Sequence, residues 1–183
     1  MESVDHEIDR VNDVVQLLLD YARPREAKAN KVNIIDVVET VKILADAVAH
    51  RHGIELVQVE HEPVYAWADS AQVRQIVMNL VMNAIQAMEG IGGRVTIRTK
   101  QQGLAVYVSV SDNGPGVSAD PLSHLTEPFF TTKTNGTGLG LAICRQLAQA
   151  NQGNLRFQSV SGEGLKVTLR LPLYLNNENQ ETV

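Results

Sequence analysis

The 183-residue sequence predicts an α+β fold, a two-layer α/β sandwich in which a mixed sheet carries helices on one face, preceded by one long amphipathic helix. Two observations predict it. Segments of helical and strand-like periodicity follow one another as helix, strands, helix, strands, helix, strands, which differs from the regular alternation of a doubly wound fold. Hydrophobic residues make up 44% and aromatic residues 4% of the chain, which predicts a folded domain with an aliphatic core.

Residues 1–24 are predicted to form the leading helix. Its apolar residues recur at spacings of three and four: Val4, Ile8, Val11, Val15, Leu18 and Ala22. Pro24 ends this helix, and the polar residues 25–30 form a linker. Because an apolar stripe needs a partner, we expect the helix to pack in a helical bundle. A second copy of the chain, in a homodimer, is one candidate source of the other helices. Docking onto the main domain is the alternative.

The main domain is predicted to span residues 31–175, and a polar tail covers residues 176–183. Its predicted elements in order are strand 32–34, helix 36–50, strand 54–59, strand 64–67 paired with the preceding strand, helix 70–88, strands 94–99 and 104–111, helix 138–151, and strands 155–160 and 165–171. Asp69 or Ser70 caps the second of these helices.

Charge and cysteine content exclude several classes of function. The net charge of −5 argues against a nucleic-acid partner. No run of about 18 apolar residues is present, so no membrane span is expected in this segment, and the first residues lack the pattern of a signal peptide. The lone cysteine, Cys144, excludes an internal disulfide and is predicted to be a packed thiol. We therefore expect a cytoplasmic location.

A first polar block lies within the predicted helix at residues 75–88. Asn79 and Asn83 are four residues apart and therefore share a helix face, and Gln86 follows on the same side. Amides on a mostly apolar helix need partners. An asparagine oxygen is a suitable ligand for Mg²⁺, whereas the alternative is a pair of buried side chains bonded to the backbone.

A second block, residues 111–117, directly follows a predicted strand. Its glycines Gly114 and Gly116 allow the backbone to approach a ligand closely. Asp112 is suited to accept a hydrogen bond from an exocyclic amine such as that of adenine. The alternative is an ordinary tight turn, which the same residues also favour.

A third block covers residues 127–133. Two adjacent phenylalanines are suited to anchor a loop by burying their rings. Thr131, Thr132 and Lys133 then offer two hydroxyls and a positive charge to a triphosphate. The alternative is a short strand with an exposed lysine.

A fourth block covers residues 135–143, where Gly136, Gly138 and Gly140 alternate at the start of a predicted helix. Free amides at a helix N-terminus bind anions. The block is neither a P-loop, because no Gly-Lys-Ser/Thr ends it, nor the dinucleotide fingerprint, because it lies outside a first βαβ unit.

In this order and spacing the four blocks resemble the N box, G1 box, F box and G2 box of the GHKL superfamily. The resemblance covers residues 32–172. It implies a Bergerat fold that holds ATP and Mg²⁺ between the N-box helix and a flexible lid. By the same resemblance, Asn83 binds Mg²⁺, Asn79 and Gln86 lie near the phosphates, and Asp112 holds the adenine amine.

The resemblance also assigns the rest of the expected ATP site. Gly114 and Gly116 shape the start of the lid. The phosphates are wrapped by Gly136, Thr137, Gly138, Leu139, Gly140 and Leu141. A fainter third glycine block at 162–167 departs from the family pattern, because Leu165 stands where threonine is usual.

Position 79 distinguishes branches of the superfamily. In the ATP-hydrolysing members and in the anti-sigma serine kinases, this position is a glutamate that acts as a general base. In this chain it is Asn79. An amide accepts no proton at neutral pH, so we expect the site to hold ATP without hydrolysing it efficiently and to donate phosphate to histidine. The chain thus resembles sensor histidine kinases, with Asn79 and Lys133 as candidate catalytic residues.

Residues 7–24 resemble the second helix of a dimerisation and histidine-phosphotransfer hairpin, whose first helix is not in the sequence. His6 lacks the pattern that follows a phosphoacceptor. The expected partners are a histidine-bearing helix, in a longer chain or in trans, and a response regulator, with the chain acting as the cytoplasmic portion of a sensor. The alternatives are a GHKL serine kinase or anti-sigma regulator, and a non-catalytic nucleotide-sensing module.

Overall fold

The computed structural model describes residues 26–60, 62–118, 122, 124–131, 137–160 and 162–176. The predicted N-terminal helix therefore lies outside the described residues. The same holds for Thr132, Lys133 and Gly136, and for nearly all of the predicted tail.

The described residues form ten regular elements. In chain order they are β1 (Asn30–Asn33), α1 (Ile34–Arg51), β2 (Ile54–Gln58), β3 (Tyr65–Ala68), α2 (Ser70–Ala87), β4 (Gly93–Gln102), β5 (Ala105–Asp112), α3 (Gly140–Ala150), β6 (Asn154–Val160) and β7 (Gly164–Pro172). This sequence of elements agrees with the predicted α+β class.

The main sheet has five strands in the order β2-β4-β5-β7-β6. Strand β2 pairs with β4 in parallel, and the other neighbours are antiparallel, so the sheet is mixed. One face is buried and the other open, as β4 shows: Val95 and Ile97 are fully buried, whereas Arg94 and Arg98 on the other face are exposed.

The predicted pairing of residues 64–67 with residues 54–59 is wrong. Strand β3 instead pairs antiparallel with β1 in a separate two-stranded sheet, which meets the chain after β7 at an Ala66–Leu173 bridge. The alternation of β3 identified a strand but carried no information about its partner. The neighbouring position beside β2 is occupied by β4, which the sequence separates from β2 by a whole helix.

The core is aliphatic, as the composition predicted. Buried side chains from all three helices and from the strands form one cluster, and none of the described residues fully buried in it is aromatic. Helix α2 contributes most of one side, with residues such as Ile76, Val77, Leu80 and Val81. This one-sided burial orients α2 so that its polar residues lie at the edge of the core.

Helix boundaries follow their capping residues. Asp69 caps α2 by accepting hydrogen bonds from the amides of Ala71 and Gln72, as predicted. Helix α3 begins at Gly140, two residues later than predicted, because Gly138 has a φ of +67° and cannot be part of a right-handed helix.

Candidate functional site

The two asparagines of α2 bond to each other. The Asn83 Nδ2 donates to Asn79 Oδ1 over 2.8 Å, and both side chains are half-buried. Gln86, one turn further on, is exposed. Through this bond each asparagine limits the rotation of the other.

The start of α3 lies directly against this pair of amides. A Cβ added at Gly140 would lie 2.9 Å from Asn79 Nδ2. No side chain caps α3 in the described part of the chain, and its first turn therefore presents backbone amides. The structure thus brings the first and fourth polar blocks together, with Asn79 facing the helix N-terminus that favours anions.

The segment before α3 is closely packed. Gly138 accepts a hydrogen bond from the amide of Phe129 over 3.1 Å, and its left-handed conformation leaves no room for a side chain beside Phe129. The Thr137 hydroxyl accepts from the Leu139 amide at 3.4 Å, and Leu139 is buried. Leu141 packs partly buried against the core. The third and fourth blocks therefore meet through their backbones.

Asp112 ends strand β5 and is almost wholly buried. Burial raises the pKa of its carboxyl group, although backbone amides that bond to it act in the opposite direction. Gly114 donates to Asp112 Oδ1 over 3.0 Å, and Leu165 donates to the same oxygen over 3.3 Å. Neither bond uses Oδ2.

Met88 and Leu165 are parts of this site that sequence reasoning did not assign. Met88 is fully buried, and a Cβ at Gly114 would lie 2.9 Å from its Cγ. The end of the α2 region thus lies beside Asp112. Leu165 replaces the usual threonine, but its bond to Asp112 is made by the backbone amide and therefore does not depend on the side chain. In the sequence, the nearness of Met88 and Leu165 to Asp112 could have been inferred only from their positions at the end of the first block and within the third glycine block.

The loop after β5 is hydrogen-bonded to the β6–β7 hairpin. The amide of Val117 donates to Ser159 Oγ over 2.7 Å, and this hydroxyl donates to the Gly164 carbonyl over 2.8 Å. Gly162 donates to the Pro115 carbonyl over 2.7 Å. Gly116, with a φ of +68°, lies within this loop. The second block is therefore held by the third glycine block, and it is more than an isolated tight turn.

The third block is described only up to Thr131, which is exposed. His124 Nδ1 lies 2.8 Å from Glu127 Oε1, and the His124 ring contacts Phe130 with 5.7 Å between centroids. The expectation that both phenylalanine rings are buried is wrong, because Phe129 is 65% exposed. Phe129 has a φ of +67°, which places it in the left-handed region.

Arg145 connects this block to α3, because its guanidinium donates to the Thr126 hydroxyl over 3.0 Å. Cys144, the neighbouring residue, is fully buried, and burial raises the pKa of its thiol to about 12. The predicted packed thiol is thereby confirmed, since a thiol with such a pKa is not reactive at neutral pH.

A cavity of about 540 Å³ touches Asp112 and Asn113 from the open face of the sheet. Its other walls include outward-facing side chains of β2, β4 and β5, such as Glu55, Arg94 and Ser111. Glu55 and Arg94 form an ion pair at 2.8 Å. The cavity does not include Asn79 or Asn83, so it is separate from the arrangement between α2 and α3.

Acidic metal ligands are not clustered in the described ranges, where no group of three or more His, Cys, Asp or Glu side chains is placed to hold a metal. The oxygen donors next to α3 are amides. Among the described helices, none is long and apolar enough to cross a bilayer.

Comparison with known proteins identifies the family. Residues 68–175 match the family described as histidine kinase-, DNA gyrase B-, and HSP90-like ATPase. The signal transduction histidine-protein kinase AtoS of Escherichia coli strain K12 is 34% identical over 179 residues, which cover 97% of this chain and 29% of AtoS. This chain therefore spans less than a third of that relative.

Solved structures give the same result. The full-length ShkA in complex with AMPPNP is 31% identical with a TM-score of 0.78, covering 96% of this chain and 37% of ShkA. The histidine kinase ThkA in complex with the response regulator protein TrrA is 25% identical with a TM-score of 0.79, covering 93% of this chain and 49% of that chain. The chain belongs to the histidine kinase-, DNA gyrase B- and HSP90-like ATPase family, and its ATP-binding domain is of the sensor histidine kinase type.

Proposed function

We propose that this chain binds ATP together with Mg²⁺ and donates the γ-phosphate to a histidine on a helix outside these 183 residues. The observation that carries the proposal is the amide at position 79. Asn79 lies against the start of α3 and is bonded to Asn83 rather than to a carboxylate. Position 79 therefore offers an amide beside the proposed phosphate site, and an amide does not act as the base that would activate water.

The adenine end of the site is Asp112. Its Oδ2 accepts the exocyclic amine of adenine, while the amides of Gly114 and Leu165 hold Oδ1 in place. Gly114 and Gly116 let the following loop pass close to the base. Because Asp112 is buried, this hydrogen bond forms away from water and discriminates strongly between bases.

The phosphate end lies between α2 and the start of α3. Backbone amides at Gly138, Gly140 and Leu141 bind the phosphate oxygens, since the α3 N-terminus has no side-chain cap in the described part of the chain, while the Leu139 amide donates to Thr137 Oγ1. Gln86 and Thr137 add polar contacts at the rim. Thr131, Thr132, Lys133 and Gly136 complete the site from the lid, and Lys133 stabilises charge on the transferred phosphoryl group.

The residues present suit Mg²⁺. Asn83 offers a hard amide oxygen, and a single protein ligand is sufficient because Mg²⁺ is usually held by one or two side chains together with phosphates and waters. When bound, Mg²⁺ neutralises charge on the phosphates. Asn83 is therefore the metal ligand, and Asn79 orients it through their 2.8 Å hydrogen bond.

A histidine acceptor fits this site better than a hydroxyl acceptor. A neutral imidazole is nucleophilic without help from a general base, whereas serine and water both need one. Asn79 cannot serve as that base. The histidine is supplied by the first helix of the phosphotransfer hairpin, and residues 1–24 pair with that helix and with a second chain as a homodimer.

A response regulator is the proposed recipient of the phosphoryl group after the histidine. ThkA, which has a similar structure, is found in complex with the response regulator protein TrrA. A cytoplasmic location follows from the ATP requirement, either as a separate chain or as the cytoplasmic portion of a sensor.

Mixing the chain with a fragment that carries the histidine-bearing first helix and γ-labelled ATP tests the proposal. We expect label on the fragment that is lost in acid and retained in alkali, as phosphohistidine is. Label that survives acid would identify a serine kinase instead. Absence of label on the fragment, in the presence of normal ATP binding, would favour a non-catalytic nucleotide-sensing module.

A further inference from the structure

A group of polar side chains, of which Gln72 and Asn151 are buried, joins the end of α3 to the start of α2. Asn151, which is 2% exposed, accepts a hydrogen bond from the Asp69 amide at 2.6 Å through Oδ1. Its Nδ2 donates to Gln72 Oε1 and to the Leu147 carbonyl, both at 2.8 Å. We refer to Asp69, Gln72 and Asn151 as the helix-end network.

These bonds allow one orientation of the Asn151 amide. Both protons of Nδ2 are used, and Oδ1 faces a backbone donor. A flipped amide would set its NH₂ group against the Asp69 amide and its oxygen against two acceptors. No apolar residue reproduces this pattern, so the network specifies a single relative position of the two helices.

The network continues into the linker. The Asp69 side chain accepts from the backbone amide of Lys28 through Oδ2 at 2.9 Å, and caps α2 through Oδ1. Burial raises the pKa of Asp69, but the amide bonds from Lys28, Gln72 and Ala71 together hold that pKa below its usual value. One carboxylate therefore contacts the linker and the start of α2.

Helices α2 and α3 are antiparallel, and three contacts fix their register. The helix-end network joins them at one end, Cys144 Sγ lies 4.0 Å from the Ile76 carbonyl in the middle, and Gly140 lies against Asn79 at the other end. On α2 the first of these contacts is at Gln72 and the last at Asn79, seven residues further on, or ~10 Å at 1.5 Å per residue. The network is thus the far end of the helix pair that forms the phosphate site.

We propose that Asn151 is a positioning residue for the phosphate site, holding α3 in register on α2, and that the Lys28 amide couples the linker to the same pair of helices. The inference rests on the proposed function, because it assigns the phosphates to the space between Asn79, Asn83 and the start of α3. A shift of α3 along α2 changes the distance from Gly140 to Asn79, while the adenine site at Asp112 stays in place.

The test compares nucleotides in the full chain. For Asn151→Ala we expect the dissociation constant for ATP with Mg²⁺ to rise about tenfold, a change of ~1.4 kcal/mol, with much less change for AMP. Val38→Ala, a core substitution in α1, is the stability control. It should change the dissociation constants for ATP with Mg²⁺ and for AMP by the same factor, or change neither. Equal weakening of ATP and AMP in Asn151→Ala would overturn the proposal, because loss of stability alone predicts that result.

The linker part has its own matched pair. Lys28→Pro removes the amide donor to Asp69, whereas Lys28→Ala keeps it. We expect weaker ATP·Mg²⁺ binding in Lys28→Pro only, and identical binding in the two variants would overturn this part.

If Asn151→Ala does not fold, Gln72→Ala removes one acceptor of the network and serves in its place. Phosphotransfer is not the readout, so a chain that binds ATP but labels no histidine contradicts the proposed function and leaves this inference standing.

Discussion

Asn79 and Asn83 form a pair in which each side chain limits the rotation of the other. The hydrogen bond between them is 2.8 Å long, and Gly140 closes one side of Asn79. Asp112, at the other end of the site, is held by two backbone amides. The proposed site therefore combines two half-buried amides on α2 with one buried carboxylate at the end of β5.

Asn83→Ala is expected to abolish the contribution of Mg²⁺ to ATP binding, because the amide oxygen is lost. The dissociation constant for ATP with Mg²⁺ should rise about tenfold or more, while binding of ATP in a chelator should change little. Calorimetric titration with and without Mg²⁺ measures both. Gln75→Ala, on an exposed position of the same helix, is the control. An Asn83→Ala chain that still gains affinity from Mg²⁺ as the wild type does would exclude Asn83 as the ligand.

Asp112→Asn is expected to weaken ATP binding by about 1.5–3 kcal/mol, since a bond to a charged acceptor is lost, and to reduce the preference for ATP over GTP. Competition titration with the two nucleotides measures this change. Unchanged base preference would exclude the proposed contact with adenine.

The pH dependence of stability provides a second readout for Asp112. Burial raises the pKa of Asp112 above 3.8, so the folded state holds that proton more tightly than the unfolded chain does. The wild type should therefore gain stability relative to Asp112→Asn as the pH falls through the raised value towards 3.8, and lose it as the pH rises. Urea unfolding of both proteins across this range measures the difference. A difference that moves in the opposite direction would contradict the raised pKa.

At the scale of elements, α3 connects the parts of the site. Its first residue lies against Asn79, Arg145 bonds to Thr126 of the third block, and its end is fixed by Asn151. Helix α2 carries the amide pair and ends beside Met88 and Asp112. The register of these two helices therefore sets the distance between the amide pair and the start of α3.

Gly140→Ala tests this packing. In an ordinary helix the change from glycine to alanine stabilises by roughly 1 kcal/mol. Here the added methyl would lie 2.9 Å from Asn79 Nδ2, so we expect no gain in melting temperature and weaker binding of ATP·Mg²⁺. Gln149→Ala, exposed on the same helix, should leave both quantities unchanged. A Gly140→Ala chain that is more stable and binds ATP normally would show that the contact has no role.

Sequence patterns predicted the helices, the strands and the aliphatic core because periodicity and capping are local properties, as at Asp69. The partner of β3 is a long-range property and was predicted wrongly. The start of α3 was placed two residues early because the left-handed conformation of Gly138 depends on its contact with Phe129. Leu165 contributes through its backbone, and no side-chain pattern indicates such a role.

At the scale of the whole molecule, the described residues belong to an ATP-binding domain of the sensor histidine kinase type. The second-helix pattern of residues 7–24 and the family relationship to sensor kinases support an acceptor on another helix. The central claim is that phosphate passes to that histidine and not to water, because Asn79 is not a base.

The partition of the γ-phosphate between water and histidine tests this claim most directly. In a single turnover with γ-labelled ATP and the acceptor fragment, we predict that most label appears as acid-labile phosphoprotein and that free phosphate forms only at the rate seen without protein. Free phosphate released at the same rate with and without the fragment, and abolished by Asn79→Ala, would instead identify an ATPase and contradict the account.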